Sequence, residues 1–224
     1  MNYNLDINQN GEYINAPVEI KLNKDDSYKF FGQSINNKTF KITDKGIYSI
    51  SKPHLSNWIL RTIISNLEYS TDYIKNNLII TDATAGLGGD LIQFSKYFKK
   101  VNGVELNKVH FDMLQYNVHD VLNLKNVFLY HKNYLNIYNK LENHIVYIDP
   151  PWGGKGVVKK KDLMLYLGDK CIYFIINKLY DLDIKYLFLK IPHNFNYHLF
   201  LHKINYNQVT IFKNRSVWLI MLKK

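Results

Sequence analysis

The sequence predicts an α/β fold: a mostly parallel seven-stranded sheet that ends in an antiparallel hairpin and is preceded by a small N-terminal extension. Three observations predict it. From Leu78 onward, short apolar runs alternate with helical stretches, and strands separated by such stretches need crossover connections and so run parallel. The last two runs are joined only by Lys213 to Ser216, a link tight enough for a hairpin. With 46% hydrophobic and 15% aromatic residues in 224, the chain can bury one core of ordinary domain size.

Residues 1 to about 40 are polar, with Gly11, Pro17 and Asp25-Asp26 as breakers, and read as an arm with one or two short strands or helical turns. Ser51 to Tyr69 reads as a helix. Ser51 can cap it, Pro53 suits a first turn, and Leu55, Trp58, Ile59, Thr62 and Ile63 share a face. Strand candidates follow at Leu78 to Thr81, Val101 to Val104, Val127 to Tyr130, Ile145 to Ile148, Tyr186 to Lys190, Gln208 to Phe212 and Val217 to Leu222. Helix candidates between the first five lie at 89–98, 108–122, 133–142 and 162–180. The expected division is an arm and extension over 1–50, contributing to a substrate site, and the main domain over 51–224.

Composition narrows the class. No apolar run approaches the roughly 18 residues of a membrane span. Met1 to Gln9 is polar and acidic, unlike a secretory or transit signal. Cys171 is the only cysteine, so it neither closes an intramolecular disulfide nor completes a cysteine-rich zinc site. The expectation is an intracellular, monomeric protein. Lys plus Arg number 29 against 19 Asp plus Glu, a formal charge of +10. Nucleic acid attracts such a surface. However, Arg61 and Arg215 are the only arginines, and the abundance of Lys, Asn, Ile and Tyr matches the residue choice of an AT-rich coding sequence. The charge alone therefore does not separate a nucleic-acid partner from codon bias.

In parallel α/β sheets ligands sit at the carboxyl ends of the strands. After the first strand comes Asp82-Ala83-Thr84-Ala85-Gly86-Leu87-Gly88-Gly89-Asp90, a glycine turn that lets a ligand approach the backbone. Leu91-Ile92 stands where a dinucleotide fingerprint has its last glycine, which lowers the case for NAD or FAD. The second strand ends at Glu105, about twenty residues beyond the turn, where a carboxylate can accept from both hydroxyls of a ribose. Alone it reads as a surface glutamate; with the turn at that spacing it reads as a ribose ligand. Asn133, after the third strand, could hydrogen-bond an adenine edge.

The fourth strand runs into Asp149-Pro150-Pro151-Trp152-Gly153-Gly154. Two prolines hold the backbone rigid and display carbonyl acceptors beside the carboxylate. Asp149 and the Pro150 carbonyl can then accept both N–H groups of an exocyclic amine and aim its lone pair at an electrophilic methyl. Trp152 offers a face for stacking the base, worth roughly 1 to 3 kcal/mol. An ordinary turn with a buried tryptophan would leave the paired prolines unexplained.

Gly86-x-Gly88-Gly89-x-x-Ile92-Gln93-Phe94, together with the Asp-Pro-Pro-Trp-Gly-Gly run, resembles the trimethylguanosine synthase family, the RNA cap guanine-N2 methyltransferases. Tyr116-Asn117, Lys29-Phe30-Phe31-Gly32-Gln33 and Gly46 to Ser51 resemble further family segments, and the similarity runs from about Lys29 to the C-terminus. The resemblance implies a class I methyltransferase, Rossmann-like fold, S-adenosylmethionine as donor and a 7-methylguanosine RNA cap as acceptor. It implies that Asp82, Ala83 and the Gly86 to Gly89 turn, including Gly88, surround the methionine part. It likewise implies that Glu105 takes the ribose, Asn133 the adenine, and that Ser51 touches the cofactor. Asp149 and Pro150 would face N2, Trp152 would stack on the methylated guanine, and Lys29 would meet the cap phosphates. Lys155, Lys159, Lys160 and Lys161 directly follow the stacking motif, where they read either as contacts to the cap's phosphate bridge or as a solvated face.

A 7-methylguanine ring is cationic, so its stack on indole gains a cation–π term of up to about 2 kcal/mol. Methyl transfer needs neither a metal nor a covalent enzyme intermediate, and the 8 histidines show no ligand spacing. Two other readings stand: adenine-N6 methylation of DNA or RNA, for which Asp-Pro-Pro-Trp is equally suited, and a non-catalytic cap-binding subunit with the same fold. An intracellular site in a eukaryote or a eukaryotic host, nucleus or cytoplasm, is expected from the cap substrate.

Overall fold

The computed structural model describes residues 17–33, 35, 38–153 and 161–224. The extension comprises β1 (Glu19–Lys21), α1 (Lys24–Phe31), β2 (Lys41–Thr43) and α2 (Gly46–Ser49), with β1 and β2 paired antiparallel. Although polar overall, α1 forms because Asn23 accepts from the Asp26 N–H at one end and Gly32 closes the other in the left-handed region. Next come α3 (Pro53–Asn66), with proline in its first turn as expected, and α4 (Thr71–Asn77), capped by Ser70.

The sheet strands follow as β3 (Ile79–Asp82), β4 (Lys100–Glu105), β5 (Val127–His131) and β6 (Ile145–Ile148), with α5 (Leu91–Phe94) and α6 (Lys108–Gln115) between them. After the two-residue strands β7 (Tyr166–Leu167) and β8 (Lys170–Cys171) come α7 (Ile172–Tyr180), β9 (Tyr186–Ile191), α8 (Tyr197–Lys203), β10 (Gln208–Lys213) and β11 (Trp218–Lys223). Seven strands make one sheet in the order β10-β11-β9-β6-β3-β4-β5, parallel from β9 to β5, with β10 and β11 antiparallel. This is the expected sheet and hairpin. Every residue of β3, β6 and β9 is buried, as strands covered on both faces require.

One face of the sheet packs against α3, α4, α5, α6 and the extension, where Phe30, Phe31, Phe40 and Ile42 join Ile59, Ile63 and Leu114 in a single cluster. That core crosses the boundary expected at residue 50. The other face packs against α7 and α8 through Ile172, Ile176, Leu179 and Phe200.

Four helix expectations are corrected. Over 133–142 only a 3-10 turn forms, Tyr134–Asn136, because Asn133 takes the Leu135 N–H two residues on and competes with helix. In 162–180 the first part is the β7–β8 hairpin, turned at Gly168-Asp169 with Gly168 at φ 62°, and helix begins only at Ile172. Over 89–98 the helix proper is Leu91–Phe94. In 108–122, α6 passes into a π-helical turn, Tyr116–Val121.

Candidate active site

Parallel register brings the strand ends together. Asp82 pairs with Tyr147 across β3 and β6, and Ile148 pairs with Leu189 across β6 and β9, so the next residues, Asp149 and Lys190, lie side by side. Both fall on the face toward the extension, the side to which Tyr147 and Phe188 also point.

The glycine turn and Glu105 are one unit. The Gly86 N–H donates to Glu105 Oε2 at 2.8 Å, and the Asn107 N–H donates to Oε1 at 2.7 Å. Burial pushes the Glu105 carboxyl up to about 7, against the opposing pull of the Asn107, Gly86 and Leu106 N–H groups. Gly86 has φ 53°, and a Cβ there would meet nothing but the Thr84 carbonyl at 3.9 Å, so its outer side is open to a ligand. At Gly89 the reverse holds: a Cβ would come within 2.6 Å of the Ser51 carbonyl. The paired glycines thus answer two needs, since Gly88 adopts φ 93° and Gly89 lets the chain at Ile50-Ser51 lie on the turn. Ala83 is buried, its N–H donating to the Tyr147 carbonyl at 2.9 Å.

Asp82 ends β3 fully enclosed and accepts from the Thr84 N–H at 3.1 Å. Burial pushes its carboxyl well above the usual range, and Asp90 adds to the effect. The Asp149 N–H donates to Thr84 Oγ1 at 2.8 Å, tying the glycine turn to the Asp-Pro-Pro segment. Asp149 Oδ2 accepts from Lys190 Nζ at 2.6 Å, and the side chain keeps 20% exposure. Burial raises the Asp149 carboxyl; Lys190 pulls it down, Asp90 pushes it up, and the nearby Trp152 indole N–H draws it slightly down. Trp152 itself is half-buried, with its ring centroid 5.6 Å from Lys190 Nζ. Its buried Nε1 stops short of a full hydrogen bond. Pro150 is buried and Pro151 exposed.

Ser51 is buried, and its hydroxyl donates to Asp90 Oδ2 and accepts from Lys190 Nζ, each at 2.7 Å. Asn133 spends its side-chain oxygen on the 3-10 turn, accepting from the Leu135 N–H at 2.9 Å. Lys29 lies exposed in α1 with its ammonium 5.3 Å from the Phe30 ring centroid. Lys155, like Lys159 and Lys160, falls outside the described residues, and Lys161 is exposed. His193 is tied to the Asn214 carbonyl at 3.0 Å, on the hairpin.

Sequence reasoning missed Asp90 and Lys190. Lys190, the one fully buried lysine among the described residues, lies against Asp149 and Asp90 and feels the charge of Asp82. Asp90 Oδ1 is buried and has no hydrogen-bond partner. Negative charge in excess, with an orphaned acceptor beside an open glycine turn, suits a ligand that carries positive charge and N–H donors. The sulfonium and ammonium of S-adenosylmethionine fit that demand, and Glu105 suits its ribose.

A family model described as RNA cap guanine-N2 methyltransferase matches residues 77–213. A protein of Acanthamoeba polyphaga mimivirus is 29% identical over 199 residues, which cover 86% of this chain and 77% of that one. Among solved structures, the T. thermophilus 16S rRNA N2 G1207 methyltransferase, in complex with AdoMet and guanosine, has a TM-score of 0.63 at 14% identity. The alignment covers 93% of this chain and 50% of that chain, so the chain spans about half its length. A SAM-dependent O-methyltransferase from Thermotoga maritima has a TM-score of 0.57 at 12% identity, covering 78% and 66%. Likeness at these identities establishes the class I methyltransferase fold.

Proposed function

The chain belongs to the RNA cap guanine-N2 methyltransferase family, and from that premise we propose that this S-adenosylmethionine-dependent methyltransferase acts on the exocyclic N2 of 7-methylguanosine in an RNA 5′ cap. The product is a di- or trimethylguanosine cap. The observation that carries the reading is the end of β6, where a carboxylate with one oxygen held by Lys190 and a fifth of its side chain exposed adjoins the Pro150 carbonyl and a half-buried tryptophan.

When bound, S-adenosylmethionine supplies a methyl group on positively charged sulfur, already activated toward a nitrogen lone pair. Asp82, Asp90 and the Gly86 to Gly89 turn would hold its methionine part, Glu105 its ribose and Asn133 its adenine. In this reading Asp149 and the Pro150 carbonyl accept the two N2 hydrogens, which turns the lone pair out of conjugation with the ring and fixes its direction. Trp152 stacks on the cationic guanine. The proton displaced from N2 leaves to solvent, so orientation rather than general-base strength is what Asp149 contributes. Ser51, just beyond the extension, shapes the site, and Lys29 and Lys155 are the lysines assigned to the cap phosphates. We take the enzyme to act as a monomer in the nucleus or cytoplasm of a eukaryote or of a eukaryotic host.

Mass analysis after incubation with S-adenosylmethionine and either a 7-methylguanosine cap dinucleotide, its unmethylated counterpart or an adenine-containing oligonucleotide tests the proposal. Added mass in 14-dalton steps on the N7-methylated cap, traced to N2, is expected. Methyl on adenine N6 alone would establish the competing amine acceptor, and failure to bind S-adenosylhomocysteine would point to a non-catalytic subunit.

A further inference from the structure

Lys190 is hard to account for as part of the fold. It occupies the fifth position of β9, Tyr-Leu-Phe-Leu-Lys-Ile, a strand buried at every residue. Enclosing an ammonium costs several kcal/mol, and an apolar residue would complete the strand without that cost. Two of its three donors are accounted for at short range, by Asp149 Oδ2 at 2.6 Å and Ser51 Oγ at 2.7 Å, while Asp90 Oδ2 lies 3.9 Å away. Asp90 Oδ2 is itself fixed by the Ser51 hydroxyl at 2.7 Å and the Tyr147 hydroxyl at 2.8 Å. The ammonium is therefore immobile, and it immobilises one oxygen of Asp149.

We propose that Lys190 is a positioning residue of the acceptor site: it clamps Oδ2 of Asp149 and thereby commits Oδ1 to the exocyclic amine of the base. The proposal rests on the reading of Asp149 as the amine acceptor given above. Without the clamp the carboxylate could turn about its last bond and present either oxygen, and an acceptor that wanders by an ångström loses orientation of the attacking nitrogen. The clamp also governs charge. Asp149 is faced by Lys190 from β9, Asp90 from the start of α5, Asp82 from the end of β3, Tyr147 from its own strand and the Trp152 indole N–H from the segment that follows, with Ser51, between α2 and α3, beyond Lys190 and Glu105 beyond at the end of β4. Every titratable neighbour except Lys190 is acidic, so loss of the ammonium favours the protonated carboxyl, which cannot accept at the oxygen that bears the proton.

The test is the pH dependence of kcat/KM for methyl transfer to a 7-methylguanosine cap dinucleotide, with S-adenosylhomocysteine affinity measured by calorimetry in parallel. Lys190→Met should lose at least about tenfold at pH 7, and the loss should shrink by up to tenfold per pH unit as the pH is raised, because Asp149 ionises again. Lys190→Arg should restore the parent's profile shape. S-adenosylhomocysteine affinity should stay within about threefold in both variants, since the clamp acts on the acceptor side. A uniformly lowered rate with the parent's pH profile would make Lys190 merely structural and overturn the proposal, as would loss of S-adenosylhomocysteine binding in step with the rate.

Asp149→Asn separates the two layers of inference. Full activity in that variant would remove the acceptor assignment itself, whereas an inactive Asp149→Asn beside a Lys190→Met enzyme with the parent's profile would remove Lys190 alone. If Lys190→Met does not fold, Asp149→Asn/Lys190→Met relieves the unpaired charge. Its loss of rate should be the same at every pH, and a parental rate or a new ionisation in it would overturn the proposal.

Discussion

Glu105 serves the fold, and in the proposed reading it serves the site as well. It receives the Gly86 and Asn107 N–H groups, so it shapes the glycine turn before any ligand arrives, and burial lifts its carboxyl to about 7. Ribose hydroxyls donate, and only the ionised carboxylate can accept from both. Affinity for S-adenosylhomocysteine should therefore fall as the pH drops below about 7, approaching tenfold per unit, and should vary less in Glu105→Gln. Calorimetry from pH 5.5 to about 8.5 checks this; an unchanged slope in the glutamine variant would assign the ionisation elsewhere. The strand-end placement of Glu105, Asp149 and Trp152 was legible from the sequence because each follows a recognisable strand. Asp90 and Lys190 were not. Asp90 sat inside the glycine motif without a role, and Lys190 read as the polar end of an apolar run; only the register between β6 and β9 shows that it meets a carboxylate 41 residues away.

At the scale of elements, the extension is held to the main domain by Asn117. Its side chain is fully buried in the π-helical turn after α6, where its oxygen accepts from the Lys41 N–H at 2.9 Å and its NH2 donates to the Lys41 carbonyl at 2.8 Å. The carboxamide thus completes the ladder of β2 as another strand would. The π-helical turn changes where that residue points, since one extra residue in a turn rotates the side chains beyond it. Asn117→Ala should cost about 2 to 4 kcal/mol, because both Lys41 backbone groups lose their partner. Urea denaturation reads the loss, and hydrogen exchange at Lys41 should accelerate more than at β6. A cost under about half a kcal/mol would mean that water replaces the amide. The Tyr116-Asn117 pair stood out in the sequence only through family resemblance. Helical periodicity there predicted α-helix, and no local signal marks an asparagine whose partner lies in β2.

The whole molecule carries its charge unevenly. Of the formal +10, little reaches the interior, where acids outnumber the buried Lys190. The fold also encloses His110, between α6 and β2, with Nε2 3.3 Å from Thr43 Oγ1, and burial lowers its imidazole to about 4. Its unfolded value is near 6.5, so the unfolded chain binds the extra proton between those two values. The contribution of neutral His110 is present above about 6.5 and is lost as the pH falls toward 4, on the order of 3 kcal/mol in all. Stability of His110→Gln relative to the parent should accordingly improve by that amount across the window, whatever offset the substitution introduces at pH 7. Denaturant midpoints measured from pH 7 to 4 check it, and parallel curves would show that the imidazole stays solvated.

The sequence by itself determined the sheet, the C-terminal hairpin and the strand ends at which chemistry gathers, because apolar periodicity, glycine turns and paired prolines act through local backbone physics. The tertiary structure alone decided which charges face each other. Parallel register set Lys190 against Asp149, and close packing laid Ser51 on Gly89 and into the same network. Long-range contacts of this kind have no local signature, since the charged and polar partners lie far apart in the chain and meet only when the strands pack.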